Sequence, residues 1–237
     1  MTDGLRRPVT ALTGAGVSAE SGVPTFRGEE GLWRRHRADE LATPTAFRRD
    51  PLLVWEWYDW RRRLIDQCLP NPAHHTLASM EETLSPFTLI TQNVDGLHQA
   101  AGSVNVLELH GSIWRVRCTA CSHVSEDYRV PLPDLPPHCP ECGELLRPDV
   151  VWFGESLPAD VLAAAWEAAR RCRTMLVIGT SATVQPAASL PLAALRGGGT
   201  LLELNPAATP LSRHAHTVIR APAAQALPNW WEAHRFG

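Results

Sequence analysis

The segment Val9-Thr-Ala-Leu-Thr-Gly-Ala-Gly-Val-Ser-Ala19 decides the fold class. Its first five residues are β-prone and stop at glycines, as a buried strand does. Gly14 to Ala19 satisfy the pattern G-x-G-x-x-G/A, whose glycines let the backbone turn tightly and approach a pyrophosphate at a helix N-terminus. Alone the pattern is weak, because a plain glycine turn has the same letters. An ordinary dinucleotide fold also wants an acidic residue about 20 positions on, closing the second strand. Glu29 and Glu30 fall instead in a polar, glycine-flanked stretch, so an ordinary nicotinamide dehydrogenase is disfavoured.

Outward from that segment, strands are expected at Pro86 to Thr91, Val104 to Leu109, Thr174 to Ile178 and Thr200 to Leu204. Helices are expected at Asp50 to Leu69, with Pro51 in the first turn and Pro70 as the stop, at Ala159 to Arg173 and at Leu190 to Arg196. Strands alternating with helices imply an α/β protein with a mainly parallel sheet. The stretch Arg117 to Pro148 is rich in Cys and Pro and has no sustained period, so a small irregular module is expected there.

Composition excludes more than it selects. The chain has 237 residues, 44% hydrophobic and 20% charged, which suits one soluble domain or a domain with a small insertion. A net charge of -3 argues against nucleic-acid binding through bulk positive charge. No apolar run approaches the roughly 20 residues of a membrane span. Met1 to Pro8 carries two arginines and no apolar stretch, so no leader is read there and a cytoplasmic location is expected. All 22 basic residues are arginine. Freedom from self-modification at lysine is one functional reading, but GC-rich coding, which also depletes Ile, Asn, Tyr and Phe, explains the bias more simply.

Cys118-x-x-Cys121 and Cys139-x-x-Cys142 form two hooks 17 residues apart. Four thiolates so spaced suit one tetrahedral zinc, and a closed site of four cysteines has no open position for water, so the metal is structural. His123 and His138 lie near the hooks without being needed. Cys68 and Cys172 are isolated and read as buried apolar residues. The segments Thr91-Gln-Asn-Val-Asp-Gly-Leu-His98 and Leu109-His-Gly-Ser112 both start at the C-terminal ends of expected strands. Ligands bind at those ends in α/β sheets, which raises His110, before Gly111, above an ordinary structural histidine; His98 is the weaker candidate.

Taken in order, these segments resemble the sirtuin family of NAD-dependent protein deacylases. The likeness runs from Gly14 to about Leu227. It rests on Gly14 to Arg27, Gln92-Asn-Val-Asp95, His110-Gly111, the four cysteines, Val151-Trp-Phe-Gly-Glu155, Gly179-Thr-Ser181 and Asn205. It implies a Rossmann-like part, about 1–27, 76–110 and 150–237, that binds NAD+ as a co-substrate. It also implies a smaller domain made of a helical insertion, about 28–75, and a four-cysteine Zn2+ module, about 111–149. By resemblance, Gly14, Ala15, Gly16, Ser18, Glu20, Thr25, Phe26, Arg27 and Trp33 cover the dinucleotide. Gln92, Asn93 and Asp95 line the nicotinamide ribose, and Gly179, Thr180, Ser181, Asn205 and Ala223 hold the adenosine half.

The same likeness implies that the acyl oxygen of an acylated lysine attacks ribose C1′ as nicotinamide leaves. His110 then acts as general base on a ribose hydroxyl, and the products are free lysine, nicotinamide and O-acyl-ADP-ribose. Val151, Trp152 and Phe153 would pair with the substrate peptide as an added strand. Tyr58 and Arg61 stand three residues apart on one helix face. An arginine fork beside a tyrosine hydroxyl suits a carboxylate. This Tyr-x-x-Arg, with Thr25 and the small Ala42, resembles the class III branch that removes succinyl and malonyl groups and often acetyl groups too. The plainer reading is a solvated face at Arg61 to Arg63 with Tyr58 in the core. A mono-ADP-ribosyltransferase sharing the NAD site is the alternative activity. A zinc-ribbon nucleic-acid module is disfavoured by Glu126, Asp127, Asp134, Glu141 and Glu144. No nucleic acid or membrane partner is expected, and the chain is expected to act as a monomer.

Overall fold

The structure, a computed structural model, describes residues 5–24, 32–33 and 36–235. The chain enters at β1 (Val9–Thr13) and passes through two single 3-10 turns, Ala15–Val17 and Ala19–Ser21. A two-strand ribbon follows, β2 (Leu32–Trp33) and β3 (His36–Arg37), then helices α1 (Ala38–Leu41), α2 (Pro44–Arg49) and α3 (Pro51–Asp66). Helix α4 (Pro72–Thr83) leads to β4 (Phe87–Thr91), α5 (Leu97–Ala100) and β5 (Val106–Glu108). Strands β6 (Gly111–Cys118), β7 (Val124–Glu126) and β8 (Leu146–Val150) come next. The chain ends with α6 (Ala159–Arg171), β9 (Thr174–Ile178), α7 (Leu190–Arg196), β10 (Thr200–Leu204), β11 (Thr217–Ile219) and α8 (Ala223–His234).

Among the described residues, six strands form one parallel sheet in the order β11-β10-β9-β1-β4-β5. Numbered among themselves, these strands give 6-5-4-1-2-3, the doubly wound order of dinucleotide-binding folds. Alternate residues serve the two faces, as the strand period of two requires. Val9, Ala11, Leu176 and Ile178 pack against α4 and α8 through Leu77, Met80, Leu227 and Trp231. Leu12, Met175, Val177 and Leu201 pack against α6 and α7 through Ala165, Ala169, Leu190 and Ala194. A domain break at about residue 75 would fall inside α4, whose Ala73 and Leu77 already lie under the sheet.

A second core joins α1, α2 and α3 to a three-stranded antiparallel sheet, β7-β6-β8. This sheet frames the stretch expected to be irregular: β6 enters it, β7 crosses it and β8 leaves it, while most residues between Thr119 and Leu145 lie in turns and loops. In β8 buried and half-buried positions alternate, whereas β6 buries its first three residues and alternates only toward its end, so no clean period of two shows in the letters. Helix α3 is fixed to the sheet through residues spaced four and three apart, hence on one face. The Trp55 indole N–H donates to the Leu146 carbonyl at 2.8 Å, and Asp59 accepts from the Leu132 N–H at 2.8 Å. Arg62, fully buried, donates to the Asp127 and Arg129 carbonyls. Of the three arginines read as one basic face, Arg63 alone is largely exposed, with Arg61 half-buried.

Candidate active site

The sheet reverses direction of winding between β1 and β9, and their C-terminal loops interlock there. The Gly14 N–H donates to the Ile178 carbonyl at 3.1 Å and the Gly16 N–H to the Gly179 carbonyl at 2.8 Å. A Cβ on Gly16 would stand 2.7 Å from that carbonyl oxygen, so no side chain fits. Two 3-10 turns follow where the letters suggested a helix start. Thr180 is buried in the facing loop, and its hydroxyl accepts from the Gln92 side-chain amide at 3.0 Å. Ser181 and Asn205 stand half-buried at the ends of β9 and β10. Glu20 reaches across to α8, accepting from the Ala224 N–H at 2.7 Å next to buried Ala223. Its carboxylate therefore anchors the glycine loop to the last helix. Thr25, Phe26 and Arg27 lie outside the described residues, and Trp33 is described only as part of β2.

Under the glycine loop, Ser18, Asn93 and Asp95 are joined in a buried polar chain with His74 and Asn71, two residues that the sequence motifs did not include. His74 Nδ1 accepts the Asn71 N–H at 3.2 Å, so its proton sits on Nε2, 3.3 Å from Ser18 Oγ. Ser18 donates to Asp95 Oδ2 at 2.8 Å and accepts from the Asn93 side chain at 3.0 Å. Burial raises the Asp95 carboxyl pKa, opposed by the Leu97 N–H, Ser18 and Arg61. Burial lowers His74 to about 4 and His98 to about 3, so both are neutral near pH 7. The Asn71-Pro72 start of α4, a capping box with His74, is the sequence signal that marks this helix and its histidine.

His110 follows β5 and is half-buried. Its Nδ1 lies 2.8 Å from the Gln92 carbonyl, which can only accept, so Nδ1 carries the proton and Nε2 presents its lone pair. Burial lowers its pKa, and the Gln92 hydrogen bond only partly offsets this. The imidazole is thus a neutral base at pH 7. Gly111 follows with φ +76°, and a Cβ there would collide with the Asp149 carbonyl. That close approach brings β8 and the segment after it beside the histidine. The Val151 N–H donates to the His110 carbonyl at 2.9 Å and the Phe153 N–H to the Ala42 carbonyl at 2.9 Å.

Between those two anchors, Trp152 is buried, while Phe153 is 52% exposed. The Trp152 N–H is taken by Glu155 at 2.8 Å. All three amides of the expected pairing segment are therefore used inside the chain. Tyr58 is fully buried, and its hydroxyl accepts from the Trp152 indole N–H at 2.9 Å. Burial drives the Tyr58 pKa to about 12 against the opposing pull of Arg61 and that hydrogen bond. Arg61 lies over the Trp57 ring at 5.2 Å, and its charge is felt by both Tyr58 and Asp95. Its guanidinium pKa is lowered, first by burial. The structure thus brings Tyr58, Arg61, Ala42 and Trp152 together beside the residues expected to meet nicotinamide.

The four cysteines converge with all Sγ atoms within 4.8 Å of one another. Neighbouring Sγ pairs lie 3.5, 3.6 and 3.7 Å apart. A tetrahedron with metal–sulfur bonds of about 2.3 Å has edges of about 3.8 Å. Cys118 Sγ also accepts the Ala120 and Cys121 N–H groups, each at 3.3 Å, which suits a thiolate. The donor set fits one structural zinc. His123 and His138 hydrogen-bond to Ser125 and to the Gly143 carbonyl.

Fold and site together define a dinucleotide-binding enzyme with an inserted zinc module and a basic imidazole at the sheet edge. Residues 14–186 match the model of the Sir2 family, and the chain belongs to that family. It is 56% identical over 214 residues to NAD-dependent protein deacylase 1 of Caldanaerobacter subterraneus, covering 90% of this chain and 88% of the relative. It is 54% identical over 219 residues to the NAD-dependent protein deacylase of Aquifex aeolicus, covering 92% of each. Among solved structures, a Sir2 homolog–NAD complex superposes with a TM-score of 0.91 at 50% identity, covering 96% of this chain and 89% of that one. A Sir2 bound to acetylated peptide superposes with a TM-score of 0.84 at 32% identity, covering 96% and 93%.

Proposed function

We propose that this chain is an NAD-dependent protein-lysine deacylase that removes succinyl and malonyl groups as well as acetyl groups, with His110 as its general base. The observation that carries the reading is the His110–Gln92 bond, which fixes the tautomer and leaves Nε2 free as a base beside Val151. Family membership and the relatives' printed names support the deacylase chemistry.

NAD+ supplies an electrophilic ribose carbon, nicotinamide as leaving group and the ribose hydroxyls. Gly14 to Ser18, Gly179 to Ser181, Asn205 and Ala223 are read as the residues that hold it, with Glu20 bracing the loop from outside. Gln92, Asn93 and Asp95 orient the nicotinamide ribose, and His110 Nε2 takes the hydroxyl proton. The acyl end is read as the pocket of Ala42, Tyr58 and Arg61. Tyr58 stays protonated to high pH because of its burial, so it can donate to a carboxylate that Arg61 neutralises. The six-stranded part binds NAD+, and the helical and zinc-bearing part closes over the acyl-lysine. None of the six cysteines forms a disulfide, which suits the cytoplasm.

Incubation with NAD+ and a panel of acetyl, malonyl, succinyl and glutaryl peptides tests the reading. O-acyl-ADP-ribose and free lysine are the expected products, with acidic acyl groups turned over at least as well as acetyl. ADP-ribose attached to protein without loss of the acyl group would point to the transferase instead.

A further inference from the structure

Three features outside the assigned chemistry meet on one side chain, Trp152. Arg147, on β8, lays its guanidinium over the Trp152 ring at 3.5 Å from the centroid. The same guanidinium forms a two-point ion pair with Glu155, at 2.6 and 2.8 Å, and a third bond to the Val150 carbonyl at 3.0 Å. Glu155 in turn accepts the Trp152 backbone N–H at 2.8 Å, and the Glu155 N–H returns to the Trp152 carbonyl at 3.0 Å. The ring is thus held on one face by a cation, its backbone by a carboxylate, and its indole N–H by Tyr58. Phe47 packs against the ring with centroids 5.2 Å apart.

We propose that Arg147 and Glu155 are positioning residues for the acyl-lysine, acting as one clamp that sets the orientation of Trp152. Two consequences follow from the geometry. The residues flanking Trp152 are bonded to His110 and to Ala42, so a shift of Trp152 moves the substrate segment relative to the base and the acyl pocket together. The indole N–H also occupies an acceptor site of Tyr58, which leaves the Tyr58 proton to be donated to a different acceptor. A planar fork is required, because it must pair two carboxylate oxygens and lie flat on an aromatic ring at once; an ammonium does neither. The proposal rests on the acyl pocket assigned above and adds the residues that hold it.

The test is steady-state kinetics of R147Q, E155Q, the double variant and R147K. They are assayed with the acyl peptide that the wild-type enzyme uses best, alongside thermal melting. The peptide KM should rise about tenfold in each Gln variant, with the KM for NAD+ and kcat within about twofold. The double variant should be no worse than the poorer single one, since the pair acts as a unit. R147K, which keeps the charge but not the planar fork, should be about as impaired as R147Q, and a peptide KM like wild type in R147K overturns the proposal. An unchanged peptide KM in both single variants overturns the proposal, as does a parallel rise in the KM for NAD+ with a loss of melting temperature. If R147Q does not fold, E155Q, which keeps the shape and removes one charge, decides by the same criteria. Failure of the acidic-acyl reading looks different: wild type would favour acetyl peptides, and R61M would cost acetyl and succinyl turnover equally.

Discussion

The Tyr58 hydroxyl accepts a hydrogen bond from the Trp152 indole N–H at 2.9 Å, joining residues 94 positions apart in the chain. One partner lies on α3 of the insertion and the other on the segment that leaves β8 beside His110. The bond makes the proposed acyl pocket a junction between two chain segments, with consequences for substrate choice and for stability.

Replacing Tyr58 with Phe leaves the Trp152 N–H buried without its acceptor. Such a loss costs about 1–3 kcal/mol, so Y58F should melt lower by several degrees. It should also lose more desuccinylation than deacetylation. R61M should show the larger selective loss, about tenfold or more in kcat/KM on succinyl peptide, because it removes a charge-assisted pair. Equal losses on both peptides would mark Arg61 as structural.

H110A should lower deacylation by about 10²–10⁴-fold, the range expected for a lost general base, while melting and zinc content stay as in wild type. The proposed base would work when neutral, and burial depresses its pKa below the ordinary 6.5. The acid limb of the pH–rate profile should therefore lie below pH 6.5 and disappear in the variant. A profile that keeps this limb in H110A would assign it to another group.

Stability should depend on pH through His74 and His98. Their folded pKa values, about 4 and about 3, lie below the ordinary 6.5, so between these limits the unfolded chain binds protons that the folded chain refuses. Stability is full above pH 6.5 and declines as pH falls toward 4 and then 3, by a few kcal/mol in total. Denaturant melts at pH 7.5, 6 and 5 check the trend; H74Q should flatten the curve, and an unchanged slope would exclude His74 as a source.

Removal of the metal should release one zinc per chain and loosen β6–β8. Because Trp55, Asp59 and Arg62 fix α3 to that sheet, the loss should reach Arg61 and Tyr58 on the same helix. Peptide binding should weaken before NAD+ binding does. Colorimetric zinc release alongside calorimetry with each ligand provides the check, and an apo-protein with unchanged peptide affinity would count against the coupling.

Much of the site was legible because it is local. The two CxxC hooks, the glycine segment after β1 and the histidine before Gly111 are each set by short-range spacing and by backbone approach. Five of the six strands of the large sheet were legible for the same reason, each being a short apolar run bounded by glycine or polar residues; the three-residue edge strand β11 was too short to show such a run. Less visible were β6, β7 and β8: β7 is three residues long, β6 is buried on successive positions at its start, and Pro148 interrupts β8. Helix α4 also escaped, although its Asn71-Pro72 start is a recognisable cap. The run Arg61 to Arg63 reads as one basic face, yet the fold buries Arg62 and half-buries Arg61.

The sequence by itself determined the nucleotide-binding sheet, the cysteine cage and the residue types available for catalysis, because these follow from spacing along one strand, turn or hook. Only the tertiary structure decided what those residues face. Which nitrogen of His110 is free depends on the carbonyl of Gln92, and which way Tyr58 donates depends on Trp152. Whether Trp152 stays in place depends on Arg147 and Glu155. These directions are set by hydrogen bonds between segments far apart in the chain, and short-range spacing does not encode such pairings.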